Sequence, residues 1–98
     1  MYQVKYLDSL QLDLIQAEDY LFQYSASAAD RLNDDLYSKT SVLPENPYIY
    51  PVYAPNPRFR FIPLSYEYLC FYVVNEDKKQ LEVRRLIRGM RNIPRWLE

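Results

Sequence analysis

Arginine is the residue type whose placement in this sequence most strongly indicates a chemical role. Five of the eight arginines fall in the last fifteen residues, RRLIRGMRNIPRWLE, at Arg84, Arg85, Arg88, Arg91 and Arg95. A guanidinium group is a planar fork that stays charged and can bind two phosphate oxygens at once. The C-terminal segment therefore carries the side chains that recognition of a phosphate requires.

The charge of the chain is unevenly distributed, although the formal net charge is only -1. Residues 1–50 carry eight acidic and three basic side chains, whereas residues 51–98 carry five acidic and nine basic ones. This asymmetry favours a polyanionic partner for the second half. The alternative is that the helices of the first half simply present acidic faces to solvent.

The composition predicts one globular domain over residues 1–98. Of the residues, 49% are hydrophobic and 26% are charged, which is typical of a folded chain of this length. Cys70 is the single cysteine, histidine is absent, and no metal-ligand spacing occurs. We therefore expect no disulfide, metal or cofactor. No apolar run approaches the ~18 residues of a membrane span and no signal peptide is evident, so we expect a cytoplasmic protein without membrane contact.

Hydrophobic periodicity predicts an α+β fold with the element order β-α-α-β-β-β. The first strand and the first helix lie within residues 2–24, and a second helix runs from Ser27 to Leu43, where Pro44 ends it. The proline-rich segment 44–57 is predicted to be a stiff loop. Three strands follow over 58–64, 67–75 and 80–88. These elements predict an antiparallel twisted sheet packed on an N-terminal helical hairpin, followed by a short C-terminal tail.

Three stretches carry a resemblance to a known family. LDLIQAEDYLFQY holds the pairs Asp13-Leu14 and Tyr20-Leu21, FRFIPLSYEYLCFYVV places Arg60 before an aromatic and aliphatic run, and RRLIRGMRNIPRWL closes the chain. In this order they resemble the RelE/ParE superfamily of bacterial type II toxin–antitoxin toxins, over nearly the whole chain. The resemblance implies a growth-inhibiting toxin that a cognate antitoxin neutralises.

The RelE-like branch of this superfamily implies a metal-independent, ribosome-dependent mRNA endonuclease. In that reaction a 2′-hydroxyl attacks the adjacent phosphate, which requires cations and proton-transfer groups. The resemblance assigns catalytic contacts to Arg60, Arg91 and Arg88. It assigns RNA or phosphate binding to Arg58, Arg85 and Trp96. Alternation along the last strand predicts that Arg84 and Arg88 point one way and Arg85 the other.

The ParE-like branch implies a different target, because its members poison DNA gyrase and are not known as nucleases. Arg88 occupies the position where the nucleases usually have histidine or tyrosine, and arginine is a poor proton carrier. Tyr66 and Tyr72 are possible replacements, although tyrosine on a half-buried strand more often serves packing. A non-toxic relic that binds RNA or the antitoxin is a further alternative. Trp96 could stack on a base, and the alternative for this residue is an aromatic plug that closes the core.

The predicted antitoxin surface combines the acidic helical hairpin with Tyr48, Tyr50 and Tyr53 of the proline-rich loop. Tyrosine offers a large contact area at little entropic cost, which suits a protein interface. We expect a hetero-oligomer with the antitoxin. The alternative is that these tyrosines pack onto the helices.

Overall fold

The computed structural model describes residues 1–89 together with Ile93 and Leu97. It confirms the α+β element order and the N-terminal helical hairpin. The elements are β1 (Gln3–Tyr6), α1 (Asp8–Phe22), α2 (Ala26–Thr40), β2 (Arg60–Pro63), β3 (Tyr68–Asn75) and β4 (Gln80–Arg88), with a short 3-10 turn at Ser65–Glu67 between β2 and β3. The second helix is shorter than predicted, since residues 41–45 form turns after Thr40.

Each helix buries one stripe of small and aliphatic side chains against the sheet. In α1 the stripe recurs every three or four residues, at Leu10, Leu14, Ala17 and Leu21. In α2 it comprises Ala28, Ala29, Leu32, Leu36 and Thr40. This spacing places each set on one face of its helix, so the hairpin and the sheet share the main hydrophobic core.

The sheet is mixed, with the strand order β1-β4-β3-β2. The pairs β2–β3 and β3–β4 are antiparallel, as predicted for successive strands joined by short turns. The pair β1–β4 is parallel, from Gln3 opposite Gln80 to Tyr6 opposite Val83, so the expectation of a wholly antiparallel sheet is wrong there. The reason is that no hairpin connects β1 to β4. Both helices, β2 and β3 lie between them in the chain, so the two strands are free to run in the same direction.

A β-bulge interrupts the pairing of β3 with β4. Phe71 lies opposite Arg85, but the next residue, Tyr72, lies opposite Val83, so Arg84 is the extra residue on β4. A bulge shifts the alternation of the strand that contains it. The side-chain directions that simple alternation predicts for the β4 arginines therefore do not apply across Arg84.

A second apolar cluster covers the sheet face that turns away from the helices. It joins residues of the sheet to Phe59 before β2 and to the tail residues Ile93 and Leu97. Tyr53 packs against this cluster, and its N–H donates to the carbonyl oxygen of Phe59 at 2.8 Å. The proline-rich loop is thereby held along the β2 edge, where Val52 also bridges Arg60.

Candidate functional site

Arg60, the first predicted catalytic residue, is bound to the proline-rich loop. Its Nη1 donates to the carbonyl oxygen of Tyr50 at 2.7 Å, with a longer contact of 3.5 Å to that of Tyr48. Its guanidinium carbon also lies 4.9 Å from the centroid of the Tyr48 ring. The hydrogen bonds from Nη1 and the cation–π contact hold two tyrosines of the loop beside β2.

The three tyrosines predicted to bind the antitoxin have different surroundings. Tyr48 is 49% exposed, and its ring lies against Arg60. Tyr50 packs against the main core, which contains residues of both helices. Tyr53 makes edge-to-face contacts with Phe61 and Phe71 in the second cluster. Tyr48 is therefore the most exposed of the three and the most accessible to a partner.

Arg85 forms a forked ion pair with Asp13 of α1. Arg85 Nε donates to Asp13 Oδ2 at 2.7 Å, and Nη2 donates to Oδ1 at 3.2 Å. The N–H of Leu86 donates to the same Asp13 carboxylate at 3.0 Å. Because β1 ends at Tyr6, this stretch of β4 lies beyond the pairing with β1, and Asp13 supplies an acceptor there. Arg85, which was predicted to bind phosphate, thus connects α1 to the sheet.

Arg88 lies against Tyr20 of α1. Its Nη1 donates to the Tyr20 hydroxyl at 3.1 Å, and its guanidinium carbon is 5.2 Å from the centroid of that ring. Tyr20 in turn meets Tyr24 edge to face, with a centroid distance of 5.4 Å. Arg85 and Arg88 both contact α1, through Asp13 and Tyr20. The bulge at Arg84 precedes both residues and changes their phase relative to Arg84, so the predicted common direction of Arg84 and Arg88 does not hold.

This contact perturbs the ionisation of both phenols in opposite directions. The hydrogen bond from Arg88 and its positive charge favour the phenolate, so the pKa of Tyr20 lies below its ordinary value. The pKa of Tyr24 lies above its ordinary value, chiefly because of its hydrogen-bonding interaction with Tyr20. The pKa of the Arg88 guanidinium is raised by the same bond to Tyr20, so this group is a permanent cation.

Two cavities meet at Tyr20 and Arg88. The first, of about 350 Å³, extends along α1 to Asp13 and Arg85. The second, of about 660 Å³, extends between the helices to Tyr24, Arg31 and the Ser65–Glu67 turn. We refer to the second as the tyrosine–arginine groove, with walls formed by Tyr20, Tyr24, Tyr66, Arg31, Glu67 and Arg88.

The other predicted residues lie elsewhere. Arg58 is exposed and lines a separate cavity of about 330 Å³ beside Arg84 and the acidic side chains Glu76, Asp77 and Glu82. Arg84 is itself paired with Glu82 at 2.8 Å. The predicted catalytic Arg91 and the predicted base-stacking Trp96 fall outside the described residues, so their roles stay predictions.

Of the two tyrosines considered for proton transfer, one is a packing residue. Tyr72 is fully buried, and its hydroxyl donates to the carbonyl oxygen of Pro47 at 2.8 Å. Burial raises its pKa to about 12. Tyr66 is instead 36% exposed and has a positive φ of 60°. Among these two, only Tyr66 reaches a surface that a ligand can enter.

Several residues that line these two cavities are not predicted from the sequence as functional. They are Asp13, Tyr20, Tyr24, Arg31 and Glu67. A signal for three of them was available, because residues separated by four and seven positions share one face of a helix. Asp13, Tyr20 and Tyr24 have this spacing, whereas the contribution of α2 and of the Ser65–Glu67 turn depends on tertiary packing.

A helical hairpin packed on a four-stranded mixed sheet defines the class of fold, and solved structures share it. A chain from the chromosomal ParDE TA system of P. aeruginosa superimposes with a TM-score of 0.74 at 18% sequence identity, covering 90% of this chain and 96% of that one. No curated protein sequence matches the chain.

The family model of the ParE toxin of the type II toxin-antitoxin system, parDE, matches residues 4–93. The chain therefore belongs to the ParE toxin family, and it is a toxin of a type II toxin–antitoxin system. This result confirms the superfamily inferred from the sequence. In the part of the chain that the structure describes, no helix is both long and apolar enough to cross a membrane.

Proposed function

We propose that this toxin arrests growth by binding DNA gyrase in the cytoplasm rather than by cleaving mRNA. The observation that carries the proposal is the position of Arg60. A nuclease of the RelE type would need this guanidinium for the scissile phosphate, whereas here it donates to a loop carbonyl at 2.7 Å. The geometry gives it a part in holding the loop.

Two further groups that the nuclease hypothesis relies on are also engaged within the fold. Arg85 is paired with Asp13 at 2.7 Å, so its charge is already compensated. The Tyr72 hydroxyl is bonded to Pro47, and its pKa of about 12 makes it a poor proton carrier near neutral pH. Inhibition by binding needs neither free phosphate ligands nor proton transfer, and it therefore fits these contacts better.

The proposal includes a hetero-oligomer with a cognate antitoxin, which would use the outer face of α1. Three large apolar side chains are exposed on this face, at Leu12 (57%), Ile15 (55%) and Phe22 (65%). Helix α1 also contains four acidic residues and no basic one. An amphipathic antitoxin helix with basic flanks would complement this face in both polarity and charge. Tyr48 is the second proposed contact.

The experiment is inducible expression of the chain in a bacterium that lacks the antitoxin. We expect growth arrest with loss of negative supercoiling in a reporter plasmid and with intact transcripts, and co-expression of the antitoxin should restore growth. New in-frame 5′ ends of mRNA that disappear in an Arg60→Ala/Arg91→Ala variant would instead establish the ribosome-dependent nuclease.

A matched control distinguishes loss of a site from loss of charge. Lys78→Ala/Lys79→Ala removes the same number of positive charges from the turn between β3 and β4. Both double variants must be compared at equal protein levels, because Arg60→Ala also weakens the loop. Normal growth with the wild-type chain at high level would refute toxicity altogether and support a non-toxic relic.

A further inference from the structure

An unusual backbone conformation shapes one wall of the tyrosine–arginine groove. Tyr66 and Glu67 have φ values of 60° and 66°, a region that non-glycine residues seldom adopt. The carbonyl oxygen of Glu67 accepts a hydrogen bond of 2.7 Å from the N–H of Gly89. A Cβ at position 89 would come within 3.1 Å of that oxygen, so glycine permits this close approach. The Ser65–Glu67 turn is thereby held in a strained form that faces the groove.

The tyrosines give the groove its apolar surface. Tyr20, Tyr24 and Tyr66 are exposed by 37%, 73% and 36%, and all three line the same cavity. Exposed phenol rings provide a large, rigid contact area and keep a polar tip at the rim, as in many protein interfaces. An aliphatic or aromatic side chain of a partner would find contacts here on more than one side.

The arginines give the groove its charge. Arg31 and Arg88 line it together with one acidic residue, Glu67. Arg31 forms no ion pair with a described residue, and Arg88 donates to the Tyr20 hydroxyl. A carboxylate can accept two parallel hydrogen bonds from a guanidinium fork. The two arginines outnumber the one acidic residue, so the groove is a cationic site.

The surroundings favour a short acidic segment over a nucleic acid strand. Glu18 is half-buried on α1, and its pKa is raised by burial and then by the charges of Asp19 and Asp30. Asp30 directly precedes Arg31 on α2. A strand with a phosphate at every nucleotide would meet this negative charge beyond the two arginines. A short peptide with one or two carboxylates would not meet this negative charge.

We infer that the tyrosine–arginine groove is a docking site for a segment of the antitoxin in which a carboxylate adjoins an apolar side chain. The inference rests on the antitoxin partnership described above and adds a third contact, separate from the outer face of α1 and from Tyr48. Arg31 and Arg88 bind the carboxylate, and the three tyrosines enclose the neighbouring apolar group. Gly89 is a positioning residue, since it acts only through the turn that carries Tyr66.

The test uses the full-length toxin and a fluorescent short peptide that alternates leucine and glutamate. We expect saturable binding by fluorescence anisotropy, at least tenfold tighter than for a twin peptide with glutamine in place of glutamate. Arg31→Gln and Arg88→Gln should each weaken binding by about tenfold to a hundredfold, the range of a charge-assisted hydrogen bond. Lys78→Gln removes the same charge from an exposed turn and should leave the affinity unchanged.

Two further measurements assign the occupant. Unlabelled antitoxin should displace the peptide, and Gly89→Ala should weaken peptide binding while its circular dichroism spectrum stays that of a folded chain. Equal binding of both peptides, a failure of the antitoxin to displace them, or tighter binding of a single-stranded RNA at the same groove would each overturn the inference. None of these readouts depends on gyrase or on transcripts, so they fail independently of the proposed target.

Discussion

Replacing Asp13 with alanine should destabilise the fold by about 2–4 kcal/mol, because Asp13 joins α1 to β4 at two points. It accepts a forked pair from Arg85 and a backbone hydrogen bond from Leu86. Bonds to a charged group contribute about 1.5–3 kcal/mol, and a deprived backbone N–H costs about 1 kcal/mol more. The side chains of Asp13 and Arg85 are only 12% and 20% exposed, so solvent screens the pair weakly.

The assay is urea and thermal unfolding followed by circular dichroism. For a domain of 98 residues, this loss should lower Tm by about 10–20 °C. Asp13→Asn is the matched control, since its amide oxygen can still accept from Leu86 while the charge is lost, and it should cost about half as much. A Tm for Asp13→Ala within about 3 °C of the wild type would refute the assignment of this pair to the fold.

Changes at three other residues should have measurable effects on stability or reactivity. Arg60→Gln should lower the free energy of unfolding by about 1–2 kcal/mol, because the loop carbonyl of Tyr50 loses a charged donor. Tyr72→Phe should cost a similar amount by leaving the Pro47 carbonyl unpaired. Since the pKa of Tyr72 is raised from 10.0 to about 12, its stabilising effect is complete below pH 10 and is lost as the pH rises towards 12. Cys70 is buried and its pKa is raised by burial, so a thiol reagent should modify it only after unfolding.

Each of these expectations has a clear contrary result. For Arg60→Gln the contrary result is a midpoint of urea unfolding equal to that of the wild type. For Tyr72→Phe the contrary result is a decline in stability above pH 10 as steep as in the wild type, with the exposed-site variant Tyr66→Phe as reference. For Cys70 it is rapid modification of the native protein by Ellman's reagent.

The elements of the fold follow from local patterns, and for that reason the sequence predicts them well. The stripe from Leu10 to Leu21 identifies α1, and the doubly apolar run YLCFYVV identifies β3 as a central strand. The parallel pairing of β1 with β4 is a non-local contact between strands more than seventy residues apart. No local pattern encodes such a pairing, so the sheet was predicted to be antiparallel throughout.

The roles of the arginines depend on tertiary structure to a greater degree. Residue type alone makes Arg60 and Arg85 equally good phosphate ligands, and only the positions of the Tyr50 carbonyl and of Asp13 show that both are engaged inside the protein. The direction of Arg88 relative to Arg84 depends on a bulge, which alternation cannot anticipate. The groove around Arg88 brings together both helices and a strained turn. Its second arginine, Arg31, lies on α2, and no sequence pattern links it to the other groove residues.

We propose that this toxin acts on gyrase, and the most direct test of its target is a supercoiling assay with purified components. Gyrase, relaxed plasmid and ATP are incubated with increasing amounts of the refolded toxin, with and without a molar excess of antitoxin. We predict that the toxin inhibits supercoiling and that the antitoxin restores it. Full supercoiling activity at a large excess of folded toxin, together with cleavage of ribosome-bound mRNA by the same preparation, would contradict the account.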